Sequence, residues 1–312
     1  MPEQRLHIAV GVIPDAERRR VLIARRPPDT HQGGLWEFPG GKRQAGESRL
    51  QTLQRELAEE IDIRIQAAHP LLCFDYDYPS VAVTLDVWVV DRWSGRPRGR
   101  EGQAIRWAAV GELDAAEFPA ANRRIIQMLH LPEVYFITPD AGRYDETFFR
   151  RLEELLRGGV RLLRFRSHDL TGAARAQALQ RLAGLCRRYD AMLLGDNAAA
   201  AAGAGLHLSA QELMRLETRP AAPGWVAASC HNAAELRQAR RLGLDFCVLS
   251  PVQPTASHPG AAPLGWNAFA RLAVDAGLPV YALGGMCLHD LEQAHRHHAH
   301  GIALISSLWE GS

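Results

Sequence analysis

The sequence predicts an α+β domain over residues 1–130, followed by an α/β domain over residues 134–312 that closes into a parallel (β/α)8 barrel. The length of 312 residues exceeds what one hydrophobic core usually organises, so two domains are expected. In the first part, strand patterns flank a glycine-rich loop and an amphipathic helix. After a break at residues 130–133, short apolar runs alternate with helical stretches. Because each parallel strand needs a crossover to the next, eight such runs in about 180 residues indicate a small closed barrel.

The first domain contains four strand patterns, at residues 6–13, 20–25, 74–78 and 81–90. A helix is predicted from its N-cap Ser48 to Ile61, because three leucines recur there at helical spacing. A second helix is predicted over residues 122–129.

The predicted barrel strands are the eight apolar runs at residues 134–137, 162–163, 191–194, 205–208, 225–227, 246–249, 280–283 and 302–305. Helical patterns lie between several of them, at residues 146–156, 173–186, 233–242 and 266–276. These helices would supply the crossovers that keep consecutive strands parallel.

Composition excludes several classes of protein. Lys and Arg number 36 against 35 Asp and Glu, so no global basic field exists to hold a nucleic-acid backbone, and direct nucleic-acid binding is not expected. The five cysteines are odd in number and include no C-x-x-C pair, which argues against a disulfide framework or a thiolate zinc site. The N-terminal segment lacks the uninterrupted apolar region of a signal peptide, and no run of about eighteen apolar residues occurs. We therefore expect a cytoplasmic protein without a membrane span.

The most informative pattern is a group of carboxylates on the first predicted helix. Glu56, Glu59 and Glu60 stand at positions i, i+3 and i+4, so they share one face within a single turn. A hard divalent cation such as Mg²⁺ would compensate their mutual repulsion, since it prefers oxygen ligands and bridges to substrate phosphates. A solvated acidic helix face is the other interpretation. Gly41 and Glu47 precede the helix in register and favour the metal site.

The spacing resembles the signature of the Nudix hydrolase family, G-x5-E-x7-R-E-U-x-E-E-x-G-U, in which U is aliphatic. The matching residues are Gly41, Glu47, Arg55, Glu56, Leu57, Glu59, Glu60 and Ile63. Asp62 stands where the signature has its last glycine. At a helix end this position favours the left-handed conformation, which glycine adopts readily and Asn or Asp tolerates, so we expect a modest stability cost and retained metal binding.

Three further segments narrow the resemblance to the MutT type of 8-oxo-dGTP diphosphatase, at residues 35–42, 101–103 and 118–122. The resemblance covers nearly all of residues 5–129 and implies a Nudix fold, a mixed sheet with flanking helices. It implies that Mg²⁺, with Mn²⁺ as the alternative ion, is bound by Gly41 through its carbonyl and by Glu56, Glu59, Glu60 and Glu101. We assign the general base to Glu56, while family members differ on which carboxylate activates water. Glu47 and Arg55 complete the catalytic group, and Arg55 is expected to orient the carboxylates by charge-assisted hydrogen bonds.

The resemblance implies attack of water on the β-phosphorus of an oxidised purine nucleoside triphosphate, which gives the monophosphate and pyrophosphate. Asn122 would read the purine edge, since its amide both donates and accepts, and Phe38 would supply an apolar wall. Arg26 matches a family arginine that contacts the nucleotide. Asn122 as a plain helix cap is the alternative. Residues 78–82 depart from the bacterial MutT pattern, which leaves base selectivity open.

The second domain resembles thiamine-phosphate synthase and its relative, the thiazole tautomerase, in segments spread over residues 134–312. Gly285 and Ser306 follow the last two predicted strands, where barrels build phosphate sites from backbone N–H groups. The domain is therefore expected to bind a thiazole or thiamine phosphate. His231 matches a histidine that acts in the tautomerase, and an imidazole suits proton transfer. A structural histidine at a strand end is the other interpretation.

The reacting residues of the synthase match poorly. Its Q-x-R-x-K pattern reads Arg164–His168 here, and its T-x-T-K loop reads Thr255–His258. Its Asn-Asp pair reads Gly195–Asp196, and Glu212 is the nearest match to the second acidic metal position. These changes weaken the binding of a doubly phosphorylated substrate with Mg²⁺, so full synthase activity is not expected.

A histidine-rich tract at residues 295–300 precedes the last predicted strand, on the side away from the expected active face. A solvated helix end is favoured there over a metal site.

Three functional hypotheses remain. The leading one is Mg²⁺-dependent hydrolysis of oxidised purine triphosphates, which sanitises the nucleotide pool. The second assigns the same chemistry to a thiamine-related diphosphate. The third makes the barrel a non-catalytic module that binds a ligand and regulates the hydrolase.

Overall fold

The structure is a computed structural model that describes residues 5–30, 32–139, 144–167, 169–255 and 262–305. The chain divides into two compact units, residues 1–131 and 132–312. Ser306 lies outside the described residues, as do His168 and the loop residues 256–258. None of the helices in the described ranges combines the length and apolar character needed to span a lipid bilayer.

In its described residues, the first unit has seven strands and two α-helices. The strands are β1 (Leu6–Val12), β2 (Arg20–Arg25), β3 (Trp36–Glu37), β4 (Gly40–Lys42), β5 (Ile63–Asp77), β6 (Ala82–Gly95) and β7 (Ile105–Ala109). The helices are α1 (Arg49–Ile61) and α2 (Asn122–Leu129). One sheet has the order β4-β1-β6-β5, in which β1 and β6 are parallel, and the other has the order β3-β2-β7. This mixed arrangement confirms the predicted α+β class.

Helix α1 packs closely on β1 because Gly11 has no side chain. A Cβ atom there would lie 2.9 Å from a methyl group of Leu57, which is fully buried. Leu53 and Ile61 are buried in the same core, so the leucine spacing that predicted the helix marks the face that packs on the sheet.

Both ends of α1 follow from its sequence. Ser48 is the N-cap, and its hydroxyl accepts from the Gln51 N–H at 3.3 Å while the Gln51 side chain accepts from the Ser48 N–H at 2.8 Å. This capping box satisfies two backbone donors that a helix start leaves open. At the other end Asp62 adopts the left-handed conformation, with φ 60° and ψ 34°, so the helix ends where the signature carries glycine.

Strands β5 and β6 are longer than predicted and form one hairpin. Their pairing register shifts three times, between Ile65 and Ala67, between Ala67 and Ala68, and between Pro70 and Leu72. Each shift moves the following side chains to the other face of the sheet. The alternation of polar and apolar residues is therefore lost before residue 74, and the sequence pattern detected only the last part of β5.

The second unit is a closed barrel of eight parallel strands, as predicted. They are β8 (Val134–Ile137), β9 (Leu162–Arg164), β10 (Met192–Gly195), β11 (Gly205–Leu208), β12 (Val226–Cys230), β13 (Phe246–Leu249), β14 (Val280–Ala282) and β15 (Gly301–Leu304). The helices between them are α3 (Glu146–Arg157), α4 (Gly172–Arg188), α5 (Asn197–Ala201), α6 (Ala210–Arg215), α7 (Ala233–Arg241), α8 (Gly265–Ala276) and α9 (Leu291–Arg296). The sequence analysis missed α5, α6 and α9, because five or six residues are too few for a helical period to repeat.

Side chains alternate between the inside and the outside of the barrel wall. Phe136, Leu163 and Leu206 belong to the cores that pack against the surrounding helices. Their strand neighbours therefore point inward, among them Tyr135 and His207. Both are buried, and the Tyr135 hydroxyl lies 3.0 Å from Nδ1 of His207.

Candidate functional sites

In the first unit, Gly40 and Gly41 of the short strand β4 touch two of the predicted metal-ligating glutamates. These two glycines are called the glycine loop below. Gly40 donates its N–H to the Glu60 carboxylate at 2.9 Å. A Cβ atom on Gly41 would lie 2.3 Å from Oε2 of Glu56, so a side chain at this position would displace the Glu56 carboxylate. Pairing of Gly41 with Ala9 of β1 holds this loop in place.

Arg55 links three carboxylates. Its guanidinium donates to Glu47 at 2.6 Å, to Glu56 at 2.8 Å and to Glu59 at 3.0 Å. The bonds from Arg55, together with the backbone N–H of Gln44 and the hydroxyl of Thr52, lower the pKa of Glu47 to about 2. The same ion pairs raise the pKa of the Arg55 guanidinium. The arrangement fits the predicted orienting role of Arg55, which remains a prediction.

Glu60 lies in a different environment from its helix neighbours. Its pKa is raised to about 7, first by burial and then by the nearby charges of Glu37 and Glu101, against the opposing effect of the Gly40 N–H. Burial also raises the pKa of Glu37, whose partner Arg26 counteracts the shift. Glu101 is exposed, yet its charge is close enough to affect both carboxyl groups. Three acidic side chains thus share one region, in which Arg26 compensates the charge of Glu37.

The three helix glutamates have different partners in the structure. Successive residues of an α-helix are about 100° apart, so Glu59 and Glu60 lie on opposite sides of Glu56. Glu59 turns to Arg55, and Glu60 turns to Gly40. Within the described ranges, no three Asp, Glu, His or Cys side chains converge as a ready-made metal cage.

The donor set nevertheless suits a hard cation. Two carboxylates of α1 lie against the glycine loop, and the charge of Glu101 acts on one of them, Glu60. Oxygen donors of this kind are those that Mg²⁺ and Mn²⁺ prefer. A bound cation would also relieve the repulsion that Glu60 receives from the charges of Glu37 and Glu101.

A cavity of about 640 Å³ opens beside this loop. Its apolar wall is formed by β1, β6 and Phe38, with Leu6, Ile8, Val10, Val83 and Leu85 in the lining. Its polar side chains include Arg26, Thr30, Gln32, Glu37, Lys42, Tyr78, Ser80 and Asn122. Arg26 is ion-paired with Glu37, and the ring of Phe38 stacks on Phe118 with centroids 5.7 Å apart. All three predicted nucleotide-contacting residues, Arg26, Phe38 and Asn122, therefore line one cavity.

Asn122 is not the cap of α2, so this alternative interpretation is wrong. Ala121 occupies the N-cap position, and no side chain caps the helix there. Asn122 is the first helical residue, and its buried side chain accepts from the N–H of Phe38 at 3.4 Å. Tyr78 fixes the same turn, because its hydroxyl accepts from the Ala121 N–H at 3.1 Å. The sequence analysis missed Tyr78 and Glu37, whose partners are distant in the sequence.

At the carboxyl ends of the barrel strands, His231 follows β12 and is half-exposed. Its Nδ1 lies 3.1 Å from Glu235, which also accepts the His231 backbone N–H at 2.6 Å. Gly285 follows β14 with φ 67°, and a Cβ atom there would lie 2.8 Å from the Pro254 carbonyl. Predicted loop partners of this site at residues 168, 256–258 and 306 lie outside the described residues.

The histidine-rich tract lies at the end of α9, as predicted, but its four histidines are half-buried, so the prediction that they are solvated is wrong. Three of them have separate surroundings. His295 lies 3.4 Å from Glu133, the ring of His297 packs 5.1 Å from that of Trp266, and His300 packs against Tyr281. They pack against the barrel because the short α9 leads directly into β15.

Comparison with known proteins assigns both units. The Nudix domain family matches residues 9–128, and the thiamine monophosphate synthase family matches residues 134–308. The 8-oxo-dGTP diphosphatase of Escherichia coli is 40% identical over 126 residues, which are 40% of this chain and 97% of that protein. The chain belongs to both families. It is a fusion of a Nudix domain with a synthase-family barrel.

Two other relatives show the same division. The 8-oxo-dGTP diphosphatase of Haemophilus influenzae is 36% identical to the Nudix domain over 129 residues, 41% of this chain and 94% of that protein. The thiamine-phosphate synthase of Thioalkalivibrio sulfidiphilus is 31% identical over 160 residues, 49% of this chain and 76% of that protein. Neither relative by itself accounts for the whole chain.

Proposed function

We propose that the Nudix domain hydrolyses 8-oxo-dGTP to 8-oxo-dGMP and pyrophosphate, with Mg²⁺ or Mn²⁺ as the cofactor. The observation that carries this proposal is the position of the 640 Å³ cavity, which is bordered by the same glycine loop that contacts Glu56 and Glu60. A base bound in the cavity would thus have its phosphates close to the carboxylate helix. The names of the Escherichia coli and Haemophilus influenzae relatives support the choice of nucleotide.

The cation would be held by Gly41 and by the carboxylates of Glu56, Glu59, Glu60 and Glu101. When bound, it would supply positive charge that neutralises the phosphate oxygens in the transition state.

Glu56 is proposed to accept the proton of the attacking water. The water oxygen forms a bond to the β-phosphorus, the bond to the oxygen bridging to the α-phosphorus breaks, and the nucleoside monophosphate leaves. Arg55 would hold Glu56 in position, and Glu47 would in turn hold Arg55, since their ion pair is 2.6 Å long.

The base would lie against Phe38, with Asn122 at its edge. An oxidised purine carries a carbonyl at C8 and an added N–H at N7, and the Asn122 amide can pair with such donors and acceptors. Arg26, held by Glu37, would provide positive charge near the nucleotide.

The test is pyrophosphate release from 8-oxo-dGTP and dGTP, alongside phosphate release from thiamine diphosphate, each with Mg²⁺. The wild type is compared with Glu56→Gln and with Glu112→Gln, an exposed residue outside the site. We expect strong preference for 8-oxo-dGTP, lost in Glu56→Gln and kept in Glu112→Gln. Hydrolysis of thiamine diphosphate alone would instead support the second hypothesis, a thiamine-related substrate.

For the barrel, we propose binding or isomerisation of a thiazole or thiamine phosphate. The paired His231 and Glu235 support proton transfer, because a carboxylate fixes the imidazole and its tautomer. His231→Gln should abolish isomerisation of a thiazole phosphate and leave its binding intact. Binding without turnover in the wild type would favour the regulatory module.

A further inference from the structure

Asp196 stands where the family's acidic metal position falls, at the carboxyl end of β10. Both of its carboxylate oxygens are already used. Oδ1 accepts from the Ala199 N–H at 3.1 Å and caps α5, and Oδ2 accepts from the Arg175 guanidinium at 2.7 Å. Arg175 is itself held, since its side chain is only 18% exposed and lies over the ring of Phe165. A protein cation thus occupies the place at Asp196 that a metal ion would need.

Glu212, the nearest match to the second acidic position, is used in the same way. Its Oε2 accepts from the backbone N–H of Ser209 at 2.7 Å and from the Ser209 hydroxyl at 2.8 Å. Its Oε1 lies 3.4 Å from the Asn197 amide. The bond to the Ser209 N–H is one half of the capping box of α6, so drawing Glu212 toward a metal would leave that N–H without its acceptor.

The positive charge inside the barrel comes instead from two arginines at the end of β9, Arg164 and Arg166. Leu163 and Phe165 belong to the core outside the wall, so Arg164 and Arg166 alternate with them toward the inside. Their charges act on the buried His207, and the charge of Arg164 also acts on Tyr135. Arg164 stands where the synthase pattern has glutamine. This chain has thus gained a guanidinium at the mouth of the barrel.

We propose that the barrel binds its phosphorylated ligand without a divalent cation, because Arg164 and Arg166 supply the positive charge and Arg175 neutralises Asp196. This rests on the proposed binding of a thiazole or thiamine phosphate by the barrel. Guanidinium groups suit the task, since each offers several N–H donors to phosphate oxygens and keeps its charge at any working pH.

The test is calorimetric titration of the full chain with thiamine monophosphate, once with excess EDTA and once with Mg²⁺. We expect dissociation constants that agree within about two-fold. Arg164→Gln, which restores the residue of the synthase pattern, should weaken binding about ten-fold in both buffers, as expected for the loss of one charged hydrogen bond. Asp196→Asn should bind as the wild type does, since asparagine keeps the cap of α5.

A matched control is Arg181→Gln on α4, which removes the same charge from an arginine paired with Glu146 outside the site and should leave binding unchanged. Circular dichroism checks that each variant is folded. The comparison of EDTA with Mg²⁺ uses the wild type, so it does not depend on any variant folding. Binding that requires Mg²⁺ and disappears in Asp196→Asn would overturn the proposal and leave phosphate binding standing. Binding that Arg164→Gln leaves unchanged would also overturn the proposal and leave phosphate binding standing. Absence of binding in both buffers would overturn phosphate binding by the barrel and the proposal with it.

Discussion

Acidification should destabilise the barrel through one buried histidine. His207 is 2% exposed, with Nδ1 3.0 Å from the Tyr135 hydroxyl and Nε2 3.0 Å from the Ser229 hydroxyl. Burial lowers the pKa of His207 well below its usual value, and the charges of Arg164 and Arg166 lower it further. The imidazole therefore stays neutral in the folded barrel.

The sign follows from proton binding by the two states. Above about pH 6.5, His207 is neutral in both the folded and the unfolded chain and contributes no pH dependence. Below that value the unfolded chain binds a proton that the folded barrel excludes, so the free energy of unfolding decreases as the pH is lowered. The slope approaches about 1.4 kcal/mol per pH unit, and the loss between pH 7.5 and 5.5 is about 1.4 kcal/mol from this group.

The assay is urea unfolding at pH 7.5 and pH 5.5, monitored by hydrogen exchange mass spectrometry. Peptides from β11 are read out, because they report on the barrel alone. His207→Gln removes the titrating group and should remove about 1.4 kcal/mol of the pH dependence. His289→Gln, at an exposed position, should retain it. Equal pH dependence in the wild type and His207→Gln would refute the reasoning.

Three further substitutions probe the Nudix domain. Gly41→Ala should reduce 8-oxo-dGTP hydrolysis at least about ten-fold, because the new methyl group would meet the Glu56 carboxylate; a wild-type rate would contradict this. Tyr78→Phe removes the acceptor of the Ala121 N–H, so the free energy of unfolding, measured by thermal melting, should fall by about 1–3 kcal/mol. The rate preference for 8-oxo-dGTP over dGTP should fall as well, and an unchanged preference would argue that Tyr78 does not help to position the base. Asp62→Gly should alter stability by less than about 1 kcal/mol in thermal unfolding, since relief of the left-handed backbone offsets a lost surface ion pair; a larger loss would mean that the ion pair dominates.

The sequence predicted best what depends on neighbours along the chain. Helix α1 illustrates this, since its apolar face, its N-cap Ser48 and the left-handed Asp62 all depend on contacts within a few residues. The barrel was predicted for a similar reason, because each strand and helix repeats a local pattern of burial. The long β5–β6 hairpin was only partly predicted, since its register shifts hide the alternation.

The candidate sites were less predictable, because their contacts join distant segments. Tyr78 and Ala121 are 43 residues apart, and Arg26 meets Glu37 across a loop. The spacing of the glutamates predicted that they share one face of α1, but it did not predict that the Glu59 carboxylate turns toward Arg55. That turn depends on where the Arg55 side chain settles among several carboxylates, which helical periodicity does not specify.

Both domains are proposed to bind an anionic phosphate ligand, but the side chains at the two sites carry opposite charges. The Nudix domain presents Glu60 beside the negative charges of Glu37 and Glu101, so its proposed chemistry needs a cation from solution. The barrel carries its own cations, and its Asp196 is already neutralised by Arg175. Removing divalent ions should therefore stop 8-oxo-dGTP hydrolysis while thiamine monophosphate binding persists in the same sample. Parallel loss of both would show that the barrel also depends on a metal ion, and that its arginines do not replace it.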